Sequence, residues 1–128
     1  MKVLIVDDTE LVLAVTKGMV RSLGYDVSIA ADGDEAWKKF GEEHFDVVIS
    51  DWHMPSCDGL ELCRRIRANY GYTVPFILAS TMVDDEEAEK QIISAGVDRY
   101  LAKPVEYAML QQLLAQIEHK AHVVHRAS

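Results

Sequence analysis

The sequence lacks most of the features that mark exported and membrane-spanning proteins. It has only two cysteines, Cys57 and Cys63, which are too few for a disulfide framework. No apolar run approaches the roughly 20 residues of a membrane span, and the apolar stretch near the amino terminus is too short for a signal peptide and ends in an acidic pair. We therefore expect reduced thiols and a soluble, cytoplasmic protein.

Basic residues are also scarce in this chain. Lys and Arg total 13 against 21 for Asp and Glu, which gives a formal net charge of −8 at pH 7. An acidic chain repels phosphate backbones and anionic lipid headgroups. We therefore expect no direct binding of nucleic acid and no binding to membranes.

The apolar content is sufficient for a single core. The chain has 128 residues, of which 49% are hydrophobic and 27% are charged, as in one ordinary globular domain. No internal linker is visible, and only the segment after Glu118 looks irregular. We assign residues 1–120 to one domain and residues 121–128 to a C-terminal tail or the stub of a linker.

Apolar runs alternate with helical patterns along this domain. Short continuous apolar runs are typical of strands buried on both faces, and they occur at Lys2–Val6, Asp26–Ala30, Phe45–Ser50, Val74–Ala79 and Arg99–Ala102. Helical patterns follow at about Leu11–Leu23, Asp34–Glu43, Leu60–Ile66, Asp84–Ala95 and Val105–His119. Five strands that alternate with five helices predict an α/β fold, a doubly wound parallel sheet covered on both faces.

Polar residues stand at the carboxyl ends of four predicted strands. Asp7 and Asp8 follow the first strand, Asp51 the third, Ser80 the fourth and Lys103 the fifth. Open α/β sheets bind ligands beyond these ends, where the strand order reverses. If the sheet has the doubly wound order 2-1-3-4-5, strands one and three are neighbours at that point and the three aspartates converge.

Three converging carboxylates require a counterion. Two unit charges 4 Å apart repel each other by roughly 4 kcal/mol at an effective dielectric constant near 20. Mg²⁺ relieves this repulsion, and it commonly binds one or two carboxylates together with waters and a phosphate oxygen. With Lys103 as a positive charge and Ser80 as a hydroxyl donor, the set predicts a site for phosphoryl chemistry.

The same residues carry a resemblance to a known family. Over about residues 1–120, the chain resembles the receiver domain of bacterial two-component response regulators and is similar to chemotaxis regulators. The matching motifs are the Asp7-Asp8 pair, Ser80, and two longer blocks, Asp51-Trp52-His53-Met54-Pro55-Ser56-Cys57-Asp58-Gly59 and Tyr100-Leu101-Ala102-Lys103-Pro104. The resemblance implies a flavodoxin-like (βα)5 fold with strand order 2-1-3-4-5 and a role as a phosphorylation-activated switch in signal transduction.

The resemblance implies that Asp51 is the phosphoacceptor. It would take a phosphoryl group from the phosphohistidine of a sensor histidine kinase or a phosphotransfer protein in a phosphorelay. Mg²⁺ would be the cofactor, bound directly by Asp8 and Asp51, through water by Asp7, and by the backbone carbonyl of His53. The domain would catalyse only its own phosphorylation and dephosphorylation, and would not be an enzyme acting on an external substrate.

The remaining motif residues would detect and transmit the modification. Ser80 and Lys103 would bind phosphoryl oxygens, and the peptide bond between Lys103 and Pro104 is typically cis in this family. Tyr100 matches the aromatic residue that rotates inward when the switch changes state. The signal would pass through the surface of strand four, helix four, strand five and helix five to a downstream protein or to an output domain outside this chain.

Two residues modify the expected site. Thr81 follows Ser80 where the family usually has Ala or Gly, so we expect its bulk to narrow access for small phosphodonors. His53 stands where side chains tune hydrolysis in the family. It either orients or excludes water at the site, or it is a partly exposed neighbour without a role.

Two other functions compete with the switch. A Mg²⁺-dependent phosphohydrolase with an aspartyl-phosphate intermediate uses similar residues, but it places the nucleophile on the first strand and an acid–base Asp two residues later, whereas Thr9 and Glu10 follow Asp8 here. A flavin mononucleotide carrier shares the predicted fold, but the acidic first loop would repel the phosphate of a flavin.

Overall fold

The five predicted strands form one parallel sheet. The computed structural model describes residues 1–81 and 85–127, with side chains as far as residue 120. The strands are β1 (Lys2–Val6), β2 (Asp26–Ala30), β3 (Val47–Asp51), β4 (Phe76–Ser80) and β5 (Arg99–Ala102). Their order in the sheet is β2-β1-β3-β4-β5, and every neighbouring pair is parallel. The predicted α/β fold and its 2-1-3-4-5 order are therefore confirmed.

One helix follows each strand, and local sequence signals explain several of the helix ends. The helices are α1 (Glu10–Ser22), α2 (Gly33–Glu42), α3 (Gly59–Tyr70), α4 (Glu86–Ala95) and α5 (Tyr107–Ala127). Asp32 and Asp58 cap α2 and α3, because each side chain accepts a hydrogen bond from a backbone N–H in the first turn. Gly96 ends α4 with a left-handed backbone conformation, for which glycine is the usual residue.

Alternate residues of the central strands point to opposite faces of the sheet and bury two separate apolar layers. On one face, Val3 and Ile5 pack with residues of α1 and α5. On the other face, Leu4 and Val6 pack with residues of α2, α3 and α4. This two-sided burial explains why the strands are continuous apolar runs.

Proline shifts one strand boundary from its predicted position. The apolar run of the fourth strand begins at Val74, but β4 begins at Phe76. Pro75 has no N–H to donate to a neighbouring strand, although its carbonyl accepts a hydrogen bond from Val48 N at 3.0 Å. The regular ladder therefore starts one residue after the proline. The bounds of β3 also differ from the predicted range of Phe45–Ser50. The strand covers Val47–Asp51, so that Asp51 is its last residue.

The last helix is longer than the sequence suggests. The segment after Glu118 looks irregular in the sequence, but the α5 backbone is continuous to Ala127. Its sequence contains neither Gly nor Pro between these bounds, so nothing in it interrupts the helical hydrogen bonds. The predicted helix start at Asp84 and the end of the predicted tail at Ser128 lie outside the described residues. No helix in the described segments combines the length and apolarity needed to cross a bilayer.

Candidate functional site

The register of the sheet brings the predicted site residues to one edge. Val6 of β1 pairs with Ser50 of β3, so the residues that follow them, Asp7 and Asp51, lie at the ends of adjacent strands. On the other side of β3, Ser80 of β4 pairs with Ala102 of β5, which immediately precedes Lys103. The polar ends of four separate segments therefore meet beyond the carboxyl edge of the sheet.

The three aspartates converge at this edge. Asp7, Asp8 and Asp51 each present a carboxylate oxygen, and these oxygens all lie within 4.8 Å of one another. The side chain of Asp7 is 5% exposed and that of Asp51 is 12% exposed, whereas Asp8 is exposed. Asp7 and Asp51 are thus largely buried, and Asp8 faces solvent.

Lys103 supplies the positive charge of the cluster. Its Nζ atom lies 2.7 Å from Asp7 Oδ2 and 3.1 Å from Asp51 Oδ1. Its backbone N–H donates to the carbonyl of Ser80 at 2.8 Å, which ties the segment after β5 to the end of β4. The peptide bond between Lys103 and Pro104 is cis, as the resemblance implies.

The carboxylates also accept hydrogen bonds from the backbone. Asp7 Oδ1 accepts from Thr9 N at 2.9 Å, and Asp51 Oδ1 accepts from Trp52 N at 2.8 Å. Burial raises the pKa of Asp51, and the charge of Asp7 adds to this rise, while Lys103 and the Trp52 N–H oppose it. Burial acts to lower the pKa of Lys103, but the hydrogen bonds and charges of Asp7 and Asp51 outweigh it, so the pKa of Lys103 is raised. The lysine therefore stays protonated at neutral pH.

Ser80, Thr81 and Tyr100 meet at the end of β4. Ser80 is buried and Thr81 is exposed. The Tyr100 hydroxyl donates to the Ser80 carbonyl at 3.0 Å and also to the carbonyl of Thr81. The aromatic residue of β5 is thus hydrogen-bonded to the backbone of the two residues that end β4, although 37% of its surface is exposed.

His53 follows Asp51 by two residues, and its side chain faces solvent. The imidazole is exposed and stacks on the buried indole of Trp52, with ring centroids 4.7 Å apart and an angle of 12° between the ring planes. The contact that holds the ring is therefore an aromatic one, and Trp52 itself packs into the apolar layer beneath α2 and α3.

Two glycines support the segment that follows Asp51, a role that no sequence pattern indicates. A Cβ atom on Gly59 would lie 2.1 Å from the backbone oxygen of Asp51, and one on Gly33 would lie 2.1 Å from the backbone oxygen of Cys57. Gly59 N also donates to Trp52 O at 2.7 Å. The first residues of α2 and α3 therefore press against the backbone of this segment, and any side chain there would force it to move.

The donor set fits a divalent cation that prefers oxygen ligands. The three carboxylates outnumber the one ammonium group by two negative charges, and their oxygens are close enough to surround one ion. No sulfur ligand takes part among the described residues, because Cys57 and Cys63 are buried in the apolar layer. Hard oxygen ligands with an excess of two negative charges favour Mg²⁺ over softer metals.

Comparison with known proteins identifies the family. The model of the response regulator receiver domain matches residues 3–115. The chain is 35% identical over 120 residues to the chemotaxis protein CheY1 of Helicobacter pylori, covering 89% of this chain and 94% of that protein. It is 36% identical to Protein RcaC of Microchaete diplosiphon over 104 residues, which make up 81% of this chain but only 16% of RcaC.

A solved structure gives the same assignment and contains a metal. The receiver domain of the sensor histidine kinase PA1611 from Pseudomonas aeruginosa has a magnesium ion coordinated in its active site cleft. Its TM-score against this chain is 0.82 at 34% identity, covering 90% of this chain and 94% of that one. The fold, the acidic cluster and these comparisons together establish that the chain belongs to the response regulator receiver domain family of two-component systems.

Proposed function

We propose that the chain is a phosphorylation-activated switch in which Asp51 accepts a phosphoryl group from the phosphohistidine of a sensor histidine kinase or a phosphotransfer protein. The observation that carries the proposal is that Asp51 lies next to both the acidic pair and Lys103. A carboxylate beside a candidate metal site and a fixed cation suits phosphoryl transfer, in which positioning and charge neutralisation supply most of the catalysis.

Asp51 acts as the nucleophile in this proposal. One of its carboxylate oxygens forms a bond to phosphorus as the bond between phosphorus and the donor imidazole nitrogen breaks. The electron pair of the broken bond stays with the imidazole, which takes up a proton. Lys103, already 3.1 Å from Asp51, pairs with one phosphoryl oxygen, and the hydroxyl of Ser80 donates to another.

Asp7, Asp8, Asp51 and the backbone carbonyl of His53 would hold the metal. Bound Mg²⁺ neutralises the carboxylates and the charge that develops on the phosphoryl oxygens. The cluster with its excess negative charge supports this assignment, and so does the magnesium in the PA1611 receiver domain. Asp7 sits deepest and already bonds to Lys103 and Thr9 N, so we assign it the contact through water.

The signal leaves through β4, α4, β5 and α5. Phosphorylation adds charge of about −1.5 to −2 and three acceptor oxygens at Asp51. Recruitment of Ser80 and Lys103 to these oxygens shifts the end of β4, which Tyr100 contacts through two carbonyls. Tyr100 then rotates and changes the surface offered to a downstream protein or an output domain. Residues 1–120 form the receiver, and residues 121–128 form a tail or the stub of a linker.

Thr81 limits access for small phosphodonors. Its side chain is exposed at the end of β4, next to buried Ser80. We expect Thr81→Ala to increase the rate of phosphorylation by a small acyl phosphate by about three- to tenfold, a change of about 1 kcal/mol in the barrier. Thr81→Ser, which removes only the methyl group, is the matched control and should fall between the two. Equal rates for all three proteins would exclude this role.

Tryptophan fluorescence provides the test of the whole proposal. Trp52 is buried and adjoins Asp51, so its emission should change on addition of Mg²⁺ and again on addition of a small acyl phosphate or beryllium fluoride. Trp37 is partly buried in the same apolar layer, and a Trp37→Phe variant removes its background. We expect the phosphodonor response to require both the metal and Asp51, and therefore to disappear in Asp51→Asn.

Each other result has a defined meaning. A Mg²⁺ response without a phosphodonor response would mean that only the kinase phosphorylates the chain and that Thr81 keeps small phosphodonors out of the site. No response to either would contradict the proposed mechanism. Turnover of a phosphomonoester that persists in Asp51→Asn would favour the phosphohydrolase instead.

A further inference from the structure

Ser50 is a buried polar residue in a strand that is otherwise apolar up to Asp51. It immediately precedes Asp51 in β3, and the residues before it are Val47, Val48 and Ile49. Its exposed fraction is 0%, and it shares a face of the sheet with Val48, which packs into the apolar layer beneath α2 and α3. A buried hydroxyl is destabilising unless it forms a hydrogen bond. The partner of the Ser50 hydroxyl is therefore part of what this residue contributes.

The Ser50 hydroxyl bonds to the backbone of the proposed phosphoacceptor. Its Oγ atom donates to the carbonyl oxygen of Asp51 at 2.8 Å. That carbonyl belongs to the peptide unit between Asp51 and Trp52, and the N–H of the same unit donates to Asp51 Oδ1 at 2.8 Å. Because a peptide unit is planar, a hydrogen bond at its carbonyl also restricts the direction of its N–H. The hydroxyl of Ser50 is thus connected to the Asp51 carboxylate through one rigid unit.

The packing of α3 restricts this peptide unit further. A Cβ atom on Gly59, the first residue of α3, would lie 2.1 Å from the same Asp51 oxygen. Gly59 N also donates to the carbonyl of Trp52 at 2.7 Å, which holds the next peptide unit along the chain. Two successive carbonyls after the strand are therefore hydrogen-bonded, the first by the Ser50 side chain and the second by the backbone of α3.

The carboxylate oxygen that accepts the Trp52 N–H also faces the cation of the site. Asp51 Oδ1 lies 3.1 Å from Lys103 Nζ, so a backbone donor and a side-chain donor converge on one oxygen. If the peptide unit turned, this oxygen would lose its backbone donor, and the carboxylate would be free to rotate about its own side-chain bonds. Small displacements of a reacting group lower the rate of a reaction strongly.

We propose that Ser50 is a positioning residue for phosphoryl transfer, which acts through the peptide unit between Asp51 and Trp52 to hold the Asp51 carboxylate in its reactive orientation. The inference rests on the proposed function for the reaction itself. Unlike Ser80, Ser50 would make no contact with the phosphoryl group. The hydrogen-bonded arrangement is a property of the fold and is testable without any ligand.

The first experiment measures amide hydrogen exchange by NMR in the ligand-free chain. Ser50→Ala removes the hydroxyl and keeps a small side chain. We expect the exchange rate of the Trp52 amide, relative to that of the Val48 amide, to rise at least about fivefold, because the loss of a buried hydrogen bond loosens the peptide unit. Val48 N lies in the same strand and donates to Pro75 O at 3.0 Å, so it reports any general loss of stability. An unchanged ratio would overturn the inference.

Ser28→Ala is the matched control. Ser28 is a serine of the edge strand β2, and its hydroxyl also donates, to Glu43 Oε1 at 3.3 Å. Its loss should leave the exchange ratio and the phosphorylation rate at their wild-type values. Equal effects of Ser28→Ala and Ser50→Ala would overturn the inference.

Ser50→Thr tests whether the hydroxyl itself is responsible, because it keeps the donor and should restore both values. If its additional methyl group prevents folding, Ser50→Cys replaces it. The thiol is a weaker donor of similar shape, so values between those of the wild type and Ser50→Ala are expected. A folded Ser50→Thr or Ser50→Cys protein with the full effect of Ser50→Ala would overturn the inference.

The second experiment measures phosphorylation by acetyl phosphate at saturating Mg²⁺. All chains carry Thr81→Ala, so that access for the small donor does not limit the rate. We expect Ser50→Ala to lower the rate constant at least about fivefold and to change the Mg²⁺ dissociation constant, measured by titration calorimetry, by less than about twofold. Metal binding is less sensitive because Asp7 and Asp8 do not depend on the peptide unit after Asp51. A general defect of the site would instead weaken metal binding and the rate together.

The outcomes separate this inference from the proposed function. A wild-type rate in Ser50→Ala, or parallel losses of rate and metal affinity, would overturn only the positioning role. No phosphorylation of the Thr81→Ala chain that retains Ser50 would overturn the proposed function and the positioning role with it. In that case the exchange experiment would still decide whether Ser50 holds the peptide unit.

Discussion

Gly59 sets the distance between the strand that carries Asp51 and the helix that follows it. Any Cβ there would lie 2.1 Å from a backbone oxygen that cannot rotate away. We expect Gly59→Ala to lower the free energy of unfolding by about 2–4 kcal/mol, measured by urea denaturation. Gly18→Ala is the matched control. A Cβ atom added at Gly18 would meet no heavy atom within 4 Å, so alanine in the middle of α1 should stabilise the protein by about 0.5–1 kcal/mol. Equal stability of Gly59→Ala and the wild type would contradict the steric argument.

Cys63 makes stability dependent on alkaline pH. Burial raises the pKa of this thiol to about 11, whereas an unfolded thiol ionises near its ordinary value of 9.0. Between these values the unfolded chain loses a proton that the folded chain keeps, so the free energy of unfolding falls as the pH rises. The stabilisation that the buried, protonated thiol contributes is fully present below the pKa of the unfolded thiol.

A difference measurement isolates this thiol from other titrating groups. We expect the wild type to lose about 2 kcal/mol more than Cys63→Ala between about pH 8 and about pH 10.5, because the variant has no thiol at this position to ionise. Urea denaturation at both pH values measures the loss. The same loss in both proteins would show that the buried thiol does not control the pH dependence.

At the residue scale, the sequence predicts which side chains could take part in chemistry better than it predicts which residues touch one another in the fold. Asp7, Asp51 and Lys103 are recognisable because polar residues stand together at several strand ends of one predicted sheet, where open α/β sheets bind ligands. The role of Gly59 is not recognisable, because it depends on the distance between α3 and the Asp51 backbone, which only the packed fold defines. The same applies to Arg67, whose partners lie in the two loops that follow α3 and α4.

At the scale of elements, the start of α2 depends on a reciprocal cap. Asp32 Oδ1 accepts from Glu35 N at 2.7 Å, and Glu35 Oε2 accepts from Ala31 N at 3.2 Å. We expect Asp32→Ala to reduce stability by about 1 kcal/mol in thermal or urea unfolding, and Asp32→Asn to remain close to the wild type because asparagine caps equally well. Equal losses in both variants would assign the effect to charge and not to capping.

The elements themselves are predictable from the sequence, but several of their ends are not. Apolar runs buried on both faces identify the strands directly. The missing N–H of Pro75 moves the start of β4. The size of that shift depends on which adjacent strand would have accepted a hydrogen bond from residue 75. α5 is longer than predicted because the histidine-bearing segment after Glu118 has no clear apolar stripe, although it also has no residue that would stop a helix.

At the scale of the whole molecule, metal binding should stabilise the fold. The excess negative charge at the carboxyl edge is a repulsive contribution in the metal-free protein. At a Mg²⁺ concentration of about 100 times its dissociation constant, we expect a gain of about 3 kcal/mol and a rise of several degrees in Tm, measured by scanning calorimetry with and without chelator. Asp8→Asn should lose most of this rise. Asp26→Asn, which removes an exposed carboxylate at the start of β2, should keep it. An equal rise in both variants would mean that Mg²⁺ binds elsewhere.

The order of the strands has a consequence for biosynthesis. The site is collected from residues spread over most of the chain, from Asp7 to Lys103, and the cation belongs to the last of the contributing segments. A ribosome therefore releases Asp7, Asp8 and Asp51 well before the lysine that pairs with them. Nascent chains therefore carry the acidic cluster without its cation, and the proposed phosphoacceptor gains its lysine only when β5 joins the sheet. On the proposed function, we therefore expect a growing chain to be unable to accept a phosphoryl group before Lys103 is in place.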